Sequence, residues 1–518
     1  MRLSPPVAVI GAGFGGLAAA MRLAAGGCAV TVFEAMPEPG GKARSERSGP
    51  HALEAGPTVF TMKPVFENLF AEIGADFDSA VKTTPLACLA RHFWPDGSEL
   101  DLFADRDRSS DAIAAFAGPK AAEGFRRFCM DSRSMFEALD LSFMRRAKPG
   151  PVELARIAGL SAMLRIRPFT RLWDALGDYF PDPRLRQLFG RYATYCGSNP
   201  FLAPATLMLI AHAEMEGVWA IEGGLPKLAK AMARELERLG GTLRCDARVT
   251  RIETRQGRVS AIVLASGEVF PAEAVIVNSD TEAFHLGLLG DAMREAVPAR
   301  TRAKRSLSAV TVSLAGHISG PGLPMHNVFF SRDYAREFRQ LAQGHMPEDP
   351  TLYLCALDRR DSPMNRRGGE ERFLALINAP PRGDDLTFDK LEPNQCQARI
   401  EAVLSRHGVR ILPGCHSPRT MTPQDFEALF PGSGGGLYGQ ATHGAMASFQ
   451  RPGARTRIPG LYCAGGSVHP GAGVPMVTIS GSLAAEALLT DLASTSRFHP
   501  VAMPGGISTP SATMAGTR

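Results

Sequence analysis

Gly11, Gly13 and Gly16 stand at the spacing G-x-G-x-x-G, between the apolar run Val7 to Ile10 and the helix-forming segment Leu17 to Ala25. The first glycine permits a tight turn, the second lets a backbone approach a pyrophosphate, and the third lets helix and strand pack closely. A phosphate held there meets the unpaired N–H groups and positive dipole end of a helix. The β-branched run Ala29 to Phe33 then closes on Glu34, whose carboxylate can accept hydrogen bonds from a ribose diol. The glycines alone are compatible with a plain structural turn. Strand, turn, helix, second strand and terminal acid together predict a dinucleotide-binding unit.

A second glycine-rich turn lies far down the chain. Leu461 to Gly466 reads as a strand ending in glycines, and a helix is expected from Met476 to Leu489 after Val468-His469-Pro470-Gly471-Ala472-Gly473-Val474-Pro475. A helix start of this kind can face the other end of a large cofactor. Between the two, Pro39-Gly40-Gly41-Lys42-Ala43-Arg44 makes another glycine turn with two cations, either near a phosphate or simply solvated. One phosphate turn near the N-terminus and one glycine-rich helix start near the C-terminus fit FAD better than NAD, because no second complete fingerprint exists for a nicotinamide partner. No G-x-S-x-G elbow, H-E-x-x-H pair or Walker lysine supports another chemistry.

The totals bound the rest. A chain of 518 residues supports two or three domains. A net charge of +5, spread along the sequence, argues against nucleic acid and leaves weak attraction to an anionic membrane surface. Nine scattered cysteines without a C-x-x-C pair point to a reducing compartment, with neither a disulfide framework nor a metal site. The N-terminal apolar run carries the phosphate turn and is therefore no cleaved signal. No window reaches the roughly 18 apolar residues of a spanning helix, so any membrane contact is expected on one face.

Several elements are legible between the two turns. Phe93 to Phe103 reads as a hairpin over Asp96-Gly97, and Ala121 to Leu139 as a helix. Lys227 to Leu239 is an amphipathic helix, followed by strands at Val249 to Glu253, Val259 to Leu264 and Ala274 to Asn278. Apolar strands at Val310 to Leu314 and Phe373 to Ile377 flank a basic loop at Arg359-Arg360. Residues 144–171 interleave arginines with Leu154, Ile157, Leu160, Met163, Leu164, Ile166 and Phe169. Such a stretch either lies in a bilayer interface or packs as a solvated helix. The expected fold is α/β: a discontinuous Rossmann-like FAD-binding domain from residues 1–90, 225–294 and 455–493. A mixed α+β substrate and membrane-facing domain, residues 91–224 and 295–454, is inserted in it. A Ser/Thr/Pro/Gly-rich tail, 494–518, is expected to be disordered.

The two glycine turns, the Glu54-Ala55-Gly56-Pro57-Thr58 loop, Arg191-Tyr192-Ala193-Thr194-Tyr195 and the Tyr462 to Pro475 signature together resemble the carotenoid (phytoene-type) desaturases of bacteria. That family lies in the amine-oxidase-like flavoprotein superfamily, and the resemblance runs to about residue 490. Ala90 to Gly97 and Ile377-Asn378-Ala379-Pro380 look most like its 1-hydroxycarotenoid 3,4-desaturase branch (methoxyneurosporene or hydroxyneurosporene dehydrogenase) of purple bacteria. The resemblance implies that Gly11, Gly13, Gly16 and Glu34 hold the ADP half of FAD. It places Gly41, Lys42 and Arg44 near the pyrophosphate, Val249 past the adenine end, and Gly465, Gly466, Val474 and Met476 toward the flavin. Tyr192, Trp219 and His469 are the pocket candidates.

The implied reaction is desaturation of a 1-hydroxy or 1-methoxy acyclic carotenoid at C3–C4. A hydride leaves an allylic carbon for the flavin, and a proton leaves its neighbour. Charge delocalised along the polyene removes the need for a strong base. Electrons would pass to oxygen, a quinone or another membrane acceptor, with the enzyme peripheral on the cytoplasmic side of the inner or intracytoplasmic membrane. Docking through residues 144–171 would give access to the apolar substrate. The competing readings are a phytoene desaturase, an amine or porphyrinogen oxidase, and a non-catalytic prenyl or lipid escort on the same fold.

Overall fold

The computed structural model describes residues 5–159, 163, 165–299, 304–359, 369–387, 392–414 and 416–496. The apolar runs named above fold where their periodicity puts them. Strand β1 (Pro6–Ile10), helix α1 (Phe14–Ala25) and strand β2 (Ala29–Phe33) form a parallel unit, with Pro6 to Ile10 opposite Ala29 to Phe33 in register. Three further strands complete a five-stranded parallel sheet. Ala274–Val277 pairs with the other side of β1 and Leu461–Cys463 lies outside it, while Thr242–Arg244 flanks β2. Five strands drawn from three distant parts of the chain share this sheet, as a discontinuous nucleotide-binding fold requires.

A second, eight-stranded sheet is built mainly from Ser308–Ser319, Glu371–Ala379, Leu352–Ala356 and His326–Phe329. The expected hairpin joins it as Cys88–Phe93 and Glu99–Phe103. The first of these strands crosses the domain limit placed at residue 90. The helix Pro119–Leu139 buries Phe125, Phe128 and Met135 in the adjoining core, together with residues 172–220. Arg359 is not a solvated loop residue. Its guanidinium is fully buried and grips Glu371 through two hydrogen bonds of 2.6 and 2.9 Å, with Leu323 accepting a third. Its neighbour Arg360 lies outside the described residues.

The terminal helix corrects two expectations. It runs Val474–Ser496, past the expected start of the tail, whose residues 497–518 lie outside the described ones. It is also long and apolar enough, by length and composition, to cross a membrane, with half of its most apolar window buried. Its buried side packs on α1: Gly481 lies so close that a Cβ there would stand 2.0 Å from the Gly15 carbonyl oxygen. The apolar composition follows from this contact, because a helix pressed on another core helix carries few charges on that face.

The 144–171 stretch is broken rather than one interfacial helix. A π-turn, Asp140–Met144, precedes the helix Pro151–Ala158, which stops at Gly159 with φ +83°. Leu154 and Ile166 point into the core, whereas Val152 and Phe169 are 85% and 88% exposed. Leu160 and Leu164 lie outside the described residues.

The Gly15–Gly481 approach yields a stability test. Gly481→Val forces side-chain atoms against an immovable backbone, an overpacking penalty of about 1–3 kcal/mol or more. It is expected to lower the thermal midpoint by several degrees in a melting scan. Gly150→Ala, at an ordinary φ with no atom within 4 Å, should leave the midpoint unchanged.

Candidate functional site

The N-terminal turn is open toward an anion. Gly11 takes φ +96°, and Gly13 caps α1 in extended conformation with no side chain bonded to the first-turn N–H groups and no acid in that turn. Gly16 sits where a Cβ would be 2.0 Å from the Gly11 carbonyl oxygen, so the turn tolerates glycine alone. Glu34 is buried; its Oε2 accepts from the Ala12 N–H at 2.7 Å and its Oε1 from the Met36 N–H at 3.0 Å. A carboxylate oxygen has a second lone pair, so both remain able to accept from a diol. The Glu34 carbonyl in turn receives the Ala247 N–H, which places Val249, buried beside Phe33, next to this acid.

The distant turns meet at Asn278. Its backbone N–H donates to Ile10, and its side-chain Nδ2 to the Gly11 carbonyl at 3.4 Å. A Cβ on Gly15 would stand 2.6 Å from Asn278 Oδ1, and one on Gly465 would stand 2.9 Å from the same atom. The Gly465 N–H donates to Ser480 Oγ in the terminal helix at 3.2 Å. Gly466 is held from the other side, its carbonyl accepting from Arg451 Nη1. Val474 opens the terminal helix, and Met476 packs against both the nucleotide-domain core and the core of the inserted domain. The sequence reading used Asn278 only as the end of a strand. Its role needs a contact between segments hundreds of residues apart, which no local pattern announces.

Gly41, at φ +57°, packs on the Cα of Gly13. Lys42 Nζ donates to the Leu437 carbonyl at 2.7 Å. Arg44 stacks near the rings of Phe426 and Phe430 and pairs with Glu46 at 3.3 Å; burial lowers its pKa. Its Nη1 is buried without a partner, a donor that an anionic group would satisfy.

The three pocket candidates occupy three different places. Trp219 lines a cavity with Glu54, Thr58, Phe60, Met325 and Leu357, at the seam between the two cores. Tyr192 is fully buried in a polar cluster, its hydroxyl donating to Glu214 Oε1 at 2.8 Å. His469 sits edge-on to Phe143, and its Nε2 lies 2.9 Å and 3.0 Å from the carbonyls of Phe143 and Arg146. Burial lowers its pKa to about 4, so the neutral ring donates there and fastens the start of the 144–171 stretch to the C-terminal turn.

Taken together, these residues fit a flavin dinucleotide. There is an uncapped helix start for the pyrophosphate, an acid for the ribose and a buried cation, Arg44, with one nitrogen unpaired. A second glycine turn in van der Waals contact with the first closes the other end. The model of the family described as flavin containing amine oxidoreductase matches residues 14–489. A hydroxyneurosporene desaturase of Rubrivivax gelatinosus is 46% identical over 98% of this chain and 98% of its own length. One from Cereibacter sphaeroides is 45% identical over 96% of this chain and all of its own. In fold, a putrescine oxidase redesigned in its cofactor binding is similar with a TM-score of 0.60 at 14% identity, covering 95% of this chain and 99% of that one. The chain accordingly belongs to the flavin-containing amine oxidoreductases and, within them, to the carotenoid desaturases of purple bacteria, FAD-dependent oxidoreductases.

Proposed function

We propose that this desaturase acts on a 1-hydroxy or 1-methoxy acyclic carotenoid and makes the C3–C4 double bond. The observation that carries the reading is the near-full-length likeness to hydroxyneurosporene desaturases; a small cavity of about 260 Å³ lies at the seam of the two cores. Its walls are Phe60, Trp219, Ile221, Leu225, Met325 and Leu357, with Glu54 and Thr58 as polar groups, and Met476 packs against both adjoining cores. Its apolar side chains suit contact with a hydrocarbon chain. The near-full-length likeness to two hydroxyneurosporene desaturases supports the same substrate class.

FAD, when bound, supplies the two-electron oxidation. Gly11, Gly13, Gly16, Gly41, Glu34 and the Val249 strand would hold its ADP half, Arg44 would offset phosphate charge, and Gly465, Gly466, Val474 and Met476 would face the ring end. Lys42, bonded to Leu437, braces the turn from behind. The sequence named no acid or base. Glu54 lines the cavity, with its carboxylate against Gly224, where a Cβ would stand 2.1 Å from Oε1. It is placed to take the proton lost from the carbon beside the oxidised one.

Access is proposed through the described part of residues 144–171 and the adjoining Leu141. Leu141, Val152 and Phe169 project into solvent there among Arg145, Arg146, Arg156, Arg165 and Arg167. On this reading the enzyme is peripheral on the cytoplasmic face of the inner or intracytoplasmic membrane and reoxidised by oxygen, a quinone or another membrane acceptor. Residues 1–90, 225–294 and 455–493 then act as the FAD domain and the remainder, up to residue 454, as the substrate domain.

Anaerobic mixing of flavin-loaded enzyme with a 1-hydroxy carotenoid is expected to bleach the flavin. Bleaching by phytoene alone would instead favour the early desaturase. Glu54→Gln should lower turnover about 100-fold, the scale of a lost proton acceptor, while flavin content stays unchanged. Asn278→Leu should yield a folded protein with little bound flavin, read by the absorbance ratio at 450 and 280 nm, as about the wavelengths at which flavin and protein absorb. The double substitution Val152→Asp, Phe169→Asp should abolish most co-sedimentation with anionic liposomes, because each side chain contributes about 1.5–3 kcal/mol when buried in lipid.

A further inference from the structure

A buried polar cluster in the inserted domain has no role so far. Arg191, 7% exposed, donates from Nη1 to the Tyr195 hydroxyl at 3.2 Å, and its Nε and Nη2 are buried without partners. Both tyrosines, 192 and 195, donate to the two oxygens of Glu214. Nearby, the Tyr353 hydroxyl lies 2.7 Å from Thr58 Oγ1 and 2.7 Å from His326 Nδ1, and His326 Nε2 has no partner. Burial and the Arg191 charge lower the His326 pKa to about 3, so the ring is neutral.

Two features mark this cluster as a binding site rather than a structural knot. Thr58 belongs to both the cluster and the seam cavity lined by Trp219 and Glu54. The cluster also holds unpaired donors: two guanidinium nitrogens of Arg191 are buried with no acceptor in reach. A buried cation left so is costly unless an acceptor arrives.

We infer that Arg191, Tyr195, Glu214, His326 and Tyr353 form the subsite that receives the oxygen-bearing end of the polyene. This rests on the proposed reaction. An oxygen on C1 lies within about 5 Å of a bond between C3 and C4, given carbon–carbon bonds of about 1.5 Å. The group that reads the oxygen must therefore adjoin the reacting cavity, as Thr58 and Tyr353 do. A site with surplus donors takes a hydroxyl or a methoxy oxygen equally, and it disfavours a hydrocarbon end that would leave those donors unpaired.

The test compares kcat/KM for a 1-hydroxy carotenoid with that for the same polyene lacking the oxygen, in the flavin-loaded wild type and in Tyr195→Phe and Tyr353→Phe. Each variant is expected to lose about tenfold on the oxygenated substrate, the value of one hydrogen bond, and to stay within about twofold on the hydrocarbon. Parallel losses on both substrates, or no change on either, would overturn the inference. A measurement on the wild type stands apart from variant folding: a short tertiary alcohol should inhibit at least about tenfold better than the matching alkane, and equal inhibition would refute the subsite. If the wild type oxidises neither polyene, the proposed reaction itself fails; if it oxidises the oxygenated one and the variants keep the preference, only the subsite does.

Discussion

The structure depends on backbone-to-backbone contact between the two ends of the chain. Gly15 meets Gly481, and Asn278 wedges between Gly11 and Gly465, at separations where a single methyl group would collide. Packing this tight is possible because the facing surfaces carry glycine and alanine: α1 buries Ala18, Ala19 and Ala20 on its inner side. Close approach strengthens dispersion contacts and leaves no room for water. It also brings two glycine turns into one continuous floor, which is what a long dinucleotide needs.

Much of this was legible in the sequence. The unit from β1 to Glu34 was readable because strand, turn and helix are local patterns with a known period. The strands at 249–264, 274–277 and 461–463 were readable for the same reason. The parallel sheet that gathers 274–277 and 461–463 beside β1 was legible only through the resemblance, since strand order depends on contacts far along the chain; the strands at 249–264 pair antiparallel in a separate sheet. Asn278 and Glu214 were invisible as site residues. One closes a buried strand, and the other looks like a stray acid in an apolar helix; only tertiary structure gives either a partner. The terminal helix was expected only from Met476 to Leu489, and no window was expected to reach membrane-spanning length. Its true length and hydropathy come from the extra residues at both ends and from the face it turns toward α1.

Buried charge separates the two kinds of polar site in this molecule. Arg359 and Glu371 satisfy one another through a bidentate pair, which ties the segment after Leu352–Ala356 to the start of Glu371–Ala379 and asks nothing of a ligand. Removing one partner of such a pair costs about 3–5 kcal/mol. Arg191 is equally enclosed but largely unserved. The contrast between a closed pair and an open one is what distinguishes scaffold from site here, more than charge or depth alone.

The bond from Arg22 Nη1 to the Ser482 carbonyl joins residues 460 positions apart in the chain. During synthesis the N-terminal glycine turn leaves the ribosome long before its partner exists. At about 5–20 residues per second, the wait is roughly 20 to 90 seconds. Flavin capture is therefore a late event in the birth of the protein, and the apolar flank of α1 must be shielded by other surfaces or chaperones until the last helix arrives.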